Sequence, residues 1–387
     1  QAYLEALRTG TKVPSVQWQA YGGLGSLYAR NGDFTRARES YEIALRVIGA
    51  NRADQLHNEY KITFLSNLMG LYQDSVELLI KQHDLRQALE IADSSRASVL
   101  TESIAGRSGM TVDQLERALK SANTTVLFYW LAPKHSYLWI LSAGSFKLVA
   151  LPDKQQIDRE IASYGALIQH EKRDPVGNAN AVGLRLYDKL VRPAAPYIAK
   201  GSHVVLVPDG SLHSLNFETL LVPDSAPHYW IEDVTLSVAP SLGSLQGGRS
   251  ASTRKPSLLL MGDPVMTGTG FDPLPDAANE MRQIRRYFPP AQTTVFTQAA
   301  AVPGAYRSAQ PLRFSTIHFV THADANEQSP LDSAIILSPR GNRYRLYARD
   351  VAEIPLDADL VTISACRGAG ARTLSGEGLV GFAWAFF

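Results

Sequence analysis

The chain has 387 residues, 45% hydrophobic and 19% charged, which is enough apolar side chain for more than one core and excludes a largely disordered protein. Lys+Arg 38 against Asp+Glu 37 leaves a net charge of +1, which excludes the one-sided basic surface needed to neutralise nucleic-acid phosphates. No apolar run approaches the ~20 residues that span a bilayer, and a single cysteine excludes an internal disulfide or a C-x-x-C metal or redox site, so a reducing compartment, the cytoplasm, is expected.

Residues 1–107 are helical by period and poor in breakers. From Tyr21 the run YGGLGSLYARNGDFTRARESYEIAL places Leu24, Gly25, Tyr28, Gly32, Ala37, Tyr41 and Ala44 at the spacings of a tetratricopeptide repeat. Small Gly25 and Ala37 let two helices approach, Leu24, Tyr28 and Tyr41 fill the gap between them, and Gly32-Asp33 makes the turn. A degenerate copy follows, with His83-Asp84-Leu85 in place of Gly32-Asp33-Phe34 and Ala88 and Ala92 in place of Ala37 and Tyr41. An elongated helix through Ile62-Thr63-Phe64-Leu65 fills the interval. Such a region is either a purely structural bundle or a solenoid whose concave surface takes a regulatory protein partner. Gln1 opens inside a helical pattern and Phe387 closes an apolar run, so a longer parent chain is expected.

Beyond Ala105-Gly106-Arg107 the pattern turns to strands. Thr124–Trp130 is rich in β-branched and aromatic residues, and Ser136–Leu141 and Phe146–Leu151 read as a hairpin across Ser142-Ala143-Gly144-Ser145. Helices are expected over Ile157–His170 and Ala181–Ile198. Val204–Val207 before Pro208-Asp209-Gly210 has the form of a buried parallel strand and its turn. The same grammar recurs in Leu258–Met261 before Gly262-Asp263-Pro264, a helix over Ala277–Tyr287, Thr316–Val320 before Thr321-His322, and Leu360–Ser364 before Ala365-Cys366. This is α/β grammar, a mostly parallel sheet flanked by helices behind an all-α repeat region. Gly247–Thr253 is the expected linker, giving three parts at 1–107, 108–250 and 251–387.

Two residues with complementary chemistry sit at the ends of apolar strands, His322 and Cys366. Reactive groups collect outside the carboxyl ends of strands in open α/β sheets, and an imidazole within reach turns a thiol into a nucleophile. The order and spacing, His first and 44 residues ahead, match those of caspases. His318, four residues before His322 and deeper in the same strand, is expected to be structural. Gly376–Gly381 spells G-x-G-x-x-G but lies far from its strand and has no ribose-binding acid after it, and H-x-x-x-H at His318 and His322 would bind zinc only on a helix. No cofactor and no metal are expected.

The segments VVLVPDGSLHSLNFETLLVP (204–223), LLLMGDP (258–264), STIHFVTHADA (315–325), SPLDSAIILSP (329–339) and LVTISACRGAGARTLSGEGLVGFAWAF (360–386) resemble the CHAT family, caspase-like domains found behind tetratricopeptide repeats and grouped with caspases and separases. The resemblance implies a cysteine endopeptidase acting on a protein substrate, with His322 as catalytic histidine, Cys366 as nucleophile, and an oxyanion hole from the N–H groups of Ala323 and Cys366. The family usually has Gly where this chain has Ala323, as a left-handed φ would favour. In the wider clan an acidic residue selects a basic side chain beside the scissile bond, which makes Asp332 and Glu377 substrate-pocket candidates. A catalytically silent interaction scaffold of the same architecture is the alternative.

Overall fold

A computed structural model describes residues 1–10, 13–52, 58–96, 111–120, 123–170, 176, 180–245, 255–326, 329–365, 372–374, 378–380 and 382–386. Two compact units form, Gln1–Gln246 with Leu374–Gly378, and Gly247–Thr373 with Leu379–Phe387. Among the described residues no helix is long and apolar enough to cross a membrane.

The first unit opens with helices α1 (Ala2–Thr9), α2 (Pro14–Arg30), α3 (Phe34–Arg52), α4 (Asn58–Lys81) and α5 (Leu85–Ser94). Helices α2 and α3 pack closely because Gly25 has no side chain: a Cβ there would meet the Tyr41 ring at 2.5 Å. Ala20, Leu24, Ala37 and Ala44 are buried along the same seam. Gly32 turns the chain with φ +79°, and at the second turn His83 adopts φ 60° in the position equated with Gly32 from sequence. Asp84 then caps α5 by accepting the Gln87 N–H. Ile62 to Leu65 lie in α4, as expected of an elongated helix.

After α6 (Val112–Leu119) comes a sheet of β1 (Thr124–Trp130), β2 (Ser136–Ser142), β3 (Ser145–Leu151), β4 (His203–Val207) and, beyond a short β5–β6 hairpin (Leu221–Val222 with His228–Tyr229), β7 (Thr235–Val238). Its order is β3-β2-β1-β4-β7. The strands β1, β4 and β7 are parallel, whereas β2 and β3 are antiparallel, so this sheet is mixed. The links before β2 and before β3 are too short for the crossover that parallel pairing needs. Helices α7 (Lys154–His170) and α8 (Ala181–Leu190) cover the sheet over a core that includes Leu127, Ile140, Ile161, Leu186 and Leu206. The helix expected through Ile198 ends at Leu190, and Arg192–Tyr197 continue as a 3-10 turn because Pro193 and Pro196 cannot donate α-helical hydrogen bonds.

At the carboxyl end of this sheet the buried Arg96 guanidinium donates to the carbonyls of Tyr129 and Pro208, pairs with Asp209 at 3.4 Å and lies 4.1 Å from the Phe128 ring centroid. Nearby, Asp93 accepts the N–H groups of Leu242 and Gly243. Burial raises the Asp93 carboxyl to about 6, against the pull of those donors and Arg96.

The second unit contains β8 (Leu258–Gly262), α9 (Ala277–Arg285), β9 (Thr293–Thr297), α10 (Pro303–Ser308), β10 (Thr316–Val320), β11 (Ala323–Asp324), β12 (Ala334–Arg340), β13 (Arg343–Tyr347), α11 (Ala348–Ala352), β14 (Leu360–Ser364) and α12 (Phe382–Ala385). Its main sheet is parallel throughout, in the order β14-β10-β8-β9. Leu258, Leu260 and Val320 pack on Ala277 and Met281 of α9, while Phe319 on the opposite face meets Tyr306 of α10 and Phe386. A separate antiparallel sheet, β11-β12-β13, follows β10 without a helix between.

Replacing Arg96 by Ala leaves the half-buried Asp209 without its cation and should cost about 3–5 kcal/mol, read by chemical denaturation with the first sheet's tryptophans as probes. Asp93 works in the opposite sense with pH. Its folded-state value lies above the ordinary 3.8, so its stabilisation is complete below 3.8 and is lost as pH rises through about 6. Denaturation midpoints should therefore fall more steeply over that interval in the wild type than in Asp93→Asn, which cannot ionise.

Candidate active site

The main sheet of the second unit reverses its winding between β8 and β10. From β8 the chain steps to β9 on one side, and from β10 it steps to β14 on the other. The carboxyl ends of β8 and β10 lie side by side at this reversal, the usual ligand position in such sheets. Gly262 allows the two strands to meet there, since a Cβ at this position would lie 2.6 Å from the Val320 carbonyl.

His322 lies on that edge. Its Nε2 sits 2.8 Å from the Asp272 carbonyl, and its ring stacks obliquely on Phe271 with centroids 5.4 Å apart. A carbonyl only accepts, so Nε2 is the donor, and in the neutral ring Nδ1 is the nitrogen with a free lone pair. The following backbone is held by β12: Thr321 donates its hydroxyl to the Ile336 carbonyl, and Ile336 N–H donates to the His322 carbonyl at 2.9 Å. That makes His322 and Ile336 the hydrogen-bonded pair, so the N–H of the next residue, Ala323 opposite Ile335, turns away from β12. Ala323 is a strand residue and not among the residues with left-handed φ, so alanine fits here without the strain that a left-handed position would impose.

Strand β14 runs parallel beside β10 with Val320 opposite Ser364, and Thr321 N–H reaches the Ser364 carbonyl at 3.4 Å. His322 and position 366 are each two residues beyond this matched pair. Cys366 and Glu377 themselves lie outside the described residues. Asp332 stands in a 3-10 turn before β12, its carboxylate paired with Arg349 and accepting the Ser329 hydroxyl at 2.6 Å. His318 is directed at α9, with Nε2 3.4 Å from Glu280, and burial lowers its pKa, more than Glu280 raises it. In the strand conformation of β10, the helical H-x-x-x-H geometry does not arise.

A family model, the CHAT domain, matches residues 180–387, more than half of the chain. The chain belongs to the CHAT-domain family. This family carries a caspase-like, peptidase-related fold, and the parallel sheet bearing His322 lies wholly inside the matched CHAT-domain segment. No curated protein matches the chain.

Two neighbours of His322 escaped the sequence reading. Asp272 acts through its carbonyl, for which no residue type is a signal, and Phe271 follows a loop of Gly and Pro that shows no period. In the CHAT-domain edge described above these two set the histidine's tautomer and ring plane. Long-range nitrogen–proton spectra of the histidine-labelled protein should show the neutral His322 ring as the Nε2–H tautomer, and Phe271→Ala should broaden or split that signal while His228 keeps its own. An Nδ1–H tautomer in the wild type would contradict the Asp272 contact.

Proposed function

We propose that this CHAT-domain protein is a cysteine endopeptidase that cleaves a protein substrate through His322 and Cys366. The reading is supported above all by the register of β10 and β14. Adjacent parallel strands lie about 4.8 Å apart, and both residues follow the matched pair Val320–Ser364 by two positions in sequence, which supports pairing the thiol with the imidazole. In the proposed reaction His322 Nδ1 takes the Cys366 proton as sulfur attacks the peptide carbonyl, then protonates the leaving amine, and water releases the acyl group to regenerate the thiol. The outward N–H of Ala323 and that of Cys366 receive the developing oxyanion, each contributing about 3–4 kcal/mol.

The helices ahead of the first sheet are read as tetratricopeptide-type repeats that recruit a regulatory protein, with part boundaries near residues 107 and 250. The two left-handed turns at Gly32 and His83 and the Gly25–Tyr41 seam support a repeated helix pair.

Because Cys366 is the only cysteine, thiol labelling reports on it alone. Alkylation by iodoacetamide near neutral pH should proceed about tenfold or more faster than for free cysteine, falling to the free rate in His322→Ala. Cys366→Ala should abolish cleavage of a cognate protein with folding intact. A thiol no more reactive than free cysteine, with or without the partner bound, overturns the peptidase reading in favour of the silent scaffold.

A further inference from the structure

The parallel sheet of the second unit has another edge, formed by the amino ends of its strands and opposite the one that carries His322. Leu360, Thr316, Leu258 and Thr293 stand in register across it as the first residues of β14, β10, β8 and β9. The large apolar side chains that the second unit exposes among its described residues, Tyr287, Leu312 and Leu360, all lie along this edge. Leu360 opens β14, Leu312 stands in the 3-10 turn just ahead of β10, and Tyr287, 83% exposed, follows α9 on the way to β9. Single exposed apolar residues scatter over any surface; their gathering on one edge marks a place of contact.

Cations accompany them. Helix α9 runs back against the strands it connects, so its last turn reaches the same edge, where the Thr293 hydroxyl donates to the Pro289 carbonyl at 2.9 Å. Arg282, Arg285 and Arg286 share one face of that turn, since positions three and four apart are neighbours on a helix. The helix dipole favours basic residues there, but the positions three and four ahead of them hold Ala278, Asn279, Met281, Gln283 and Arg282 itself, none of them an acid. Arg282 donates to Asn279 at 3.4 Å and Arg286 to Gln283 at 2.8 Å, both neutral, while Glu280 is turned to His318. Arg313, in the turn that carries Leu312, likewise donates to neutral Gln310 at 3.5 Å, and the Ser257 hydroxyl on its carbonyl seats this turn beside the start of β8. The ion pairs of the second unit among the described residues, Arg307–Glu353, His318–Glu280, Arg345–Asp324 and Arg349–Asp332, take none of these four arginines. Elsewhere the chain supplies the counter-charge on the helix itself, as Arg38–Glu42 in α3 and Lys154–Asp158 in α7. Asp357 and Asp359 stand at the β14 end of the edge, so the cationic stretch runs from α9 past β9 and β8 to Arg313.

We propose that this stretch, from Arg285, Arg286 and Tyr287 to Leu312 and Arg313, docks an acidic segment of a protein partner in which carboxylates alternate with large apolar side chains. The carboxylates pair with guanidinium groups that have no ion pair to give up, and the apolar side chains cover Tyr287 and Leu312. Nucleic acid fits less well, because its phosphates recur at every nucleotide whereas these cations are interrupted by exposed apolar groups. The proposal does not depend on the peptidase reading, and a partner held here leaves the His322 edge open.

Fluorescence anisotropy of the full chain with a labelled peptide of repeated Glu-Leu-Glu-Phe tests it against the same peptide with glutamine for glutamate, which keeps the shape and loses the charge. The glutamate peptide should bind about tenfold tighter or more, with the advantage shrinking as salt rises. Arg282→Gln/Arg285→Gln/Arg286→Gln should cut that advantage about threefold or more, and Tyr287→Ser should weaken both peptides. Lys120→Gln/Lys147→Gln/Arg159→Gln, which removes the same charge from exposed positions of the first unit, should leave the advantage as it is. Equal thermal midpoints show that the variants are folded. No binding of either peptide, equal affinity for the two, an advantage unchanged in the α9 variant or an equal loss in the first-unit variant each overturns the proposal. So does tighter binding of a labelled oligo-dT that the α9 variant loses, which would make the edge a nucleic-acid surface.

Discussion

The pairing of β10 between β8 and β14 is the constraint from which the site follows. All three strands are parallel, so their carboxyl ends share one edge, and each residue's place along that edge is set by the register. Register is costly to change because a slip of one residue would exchange the α9-facing set, Leu258, Leu260 and Val320, with the face that carries Phe319. With Val320 held opposite both Gly262 and Ser364, the residues just past the strand ends have little freedom in where they emerge. Gly262 matters more than its size suggests: any side chain there would force β8 and β10 apart at their carboxyl ends.

On this frame the histidine is not left to its own rotamer preference. It is held by a carbonyl at one ring nitrogen, an aromatic ring on one face and a strand pairing at its backbone, and these come from two different directions, the 263–276 loop and β12. The arrangement distinguishes the two ring nitrogens chemically before any substrate arrives. It also puts the Ala323 N–H and the Nδ1 lone pair under separate control, one by the β11–β12 ladder and the other by Asp272.

Much of this was legible in the sequence, and the remainder was not, for physical reasons. Strands such as Val204–Val207 and Leu258–Met261 announce themselves because burial on both faces demands continuous apolar residues. The turns at Gly32 and His83 were legible because each is followed by an aspartate just ahead of a helical period. The hairpin β12–β13 was not read as strands: Ala334–Leu337 is apolar, but Arg343-Tyr344-Arg345-Leu346-Tyr347 has only one fully buried member. Nor is the pairing of Asp332 with Arg349 visible in a local pattern, because it joins a 3-10 turn to α11 across the intervening hairpin. Ala323 illustrates the converse. Its identity suggested strain where Gly is usual, yet the backbone is an ordinary strand, and the left-handed residues of this edge are Asp263 and Gln298, types that betray little in sequence because aspartate tolerates αL.

The two sheets also show why one edge is a candidate site and the other is not. In the first unit the carboxyl ends of β1 and β4 converge on Arg96, which fills the space with a guanidinium bonded to Tyr129 and Pro208 and covered by Phe128. Beside it, His213 is held neutral, pushed down to about 4 by burial and then by the arginine's charge. Arg96 ties the end of α5 to the sheet, and an incoming ligand would have to displace its ion pair with Asp209 at a cost of several kcal/mol. In the second unit the same topological position has no such plug among the described residues. Its histidine, His322, is fixed at one ring nitrogen and left open at the other, so binding there requires no buried charge to be separated first.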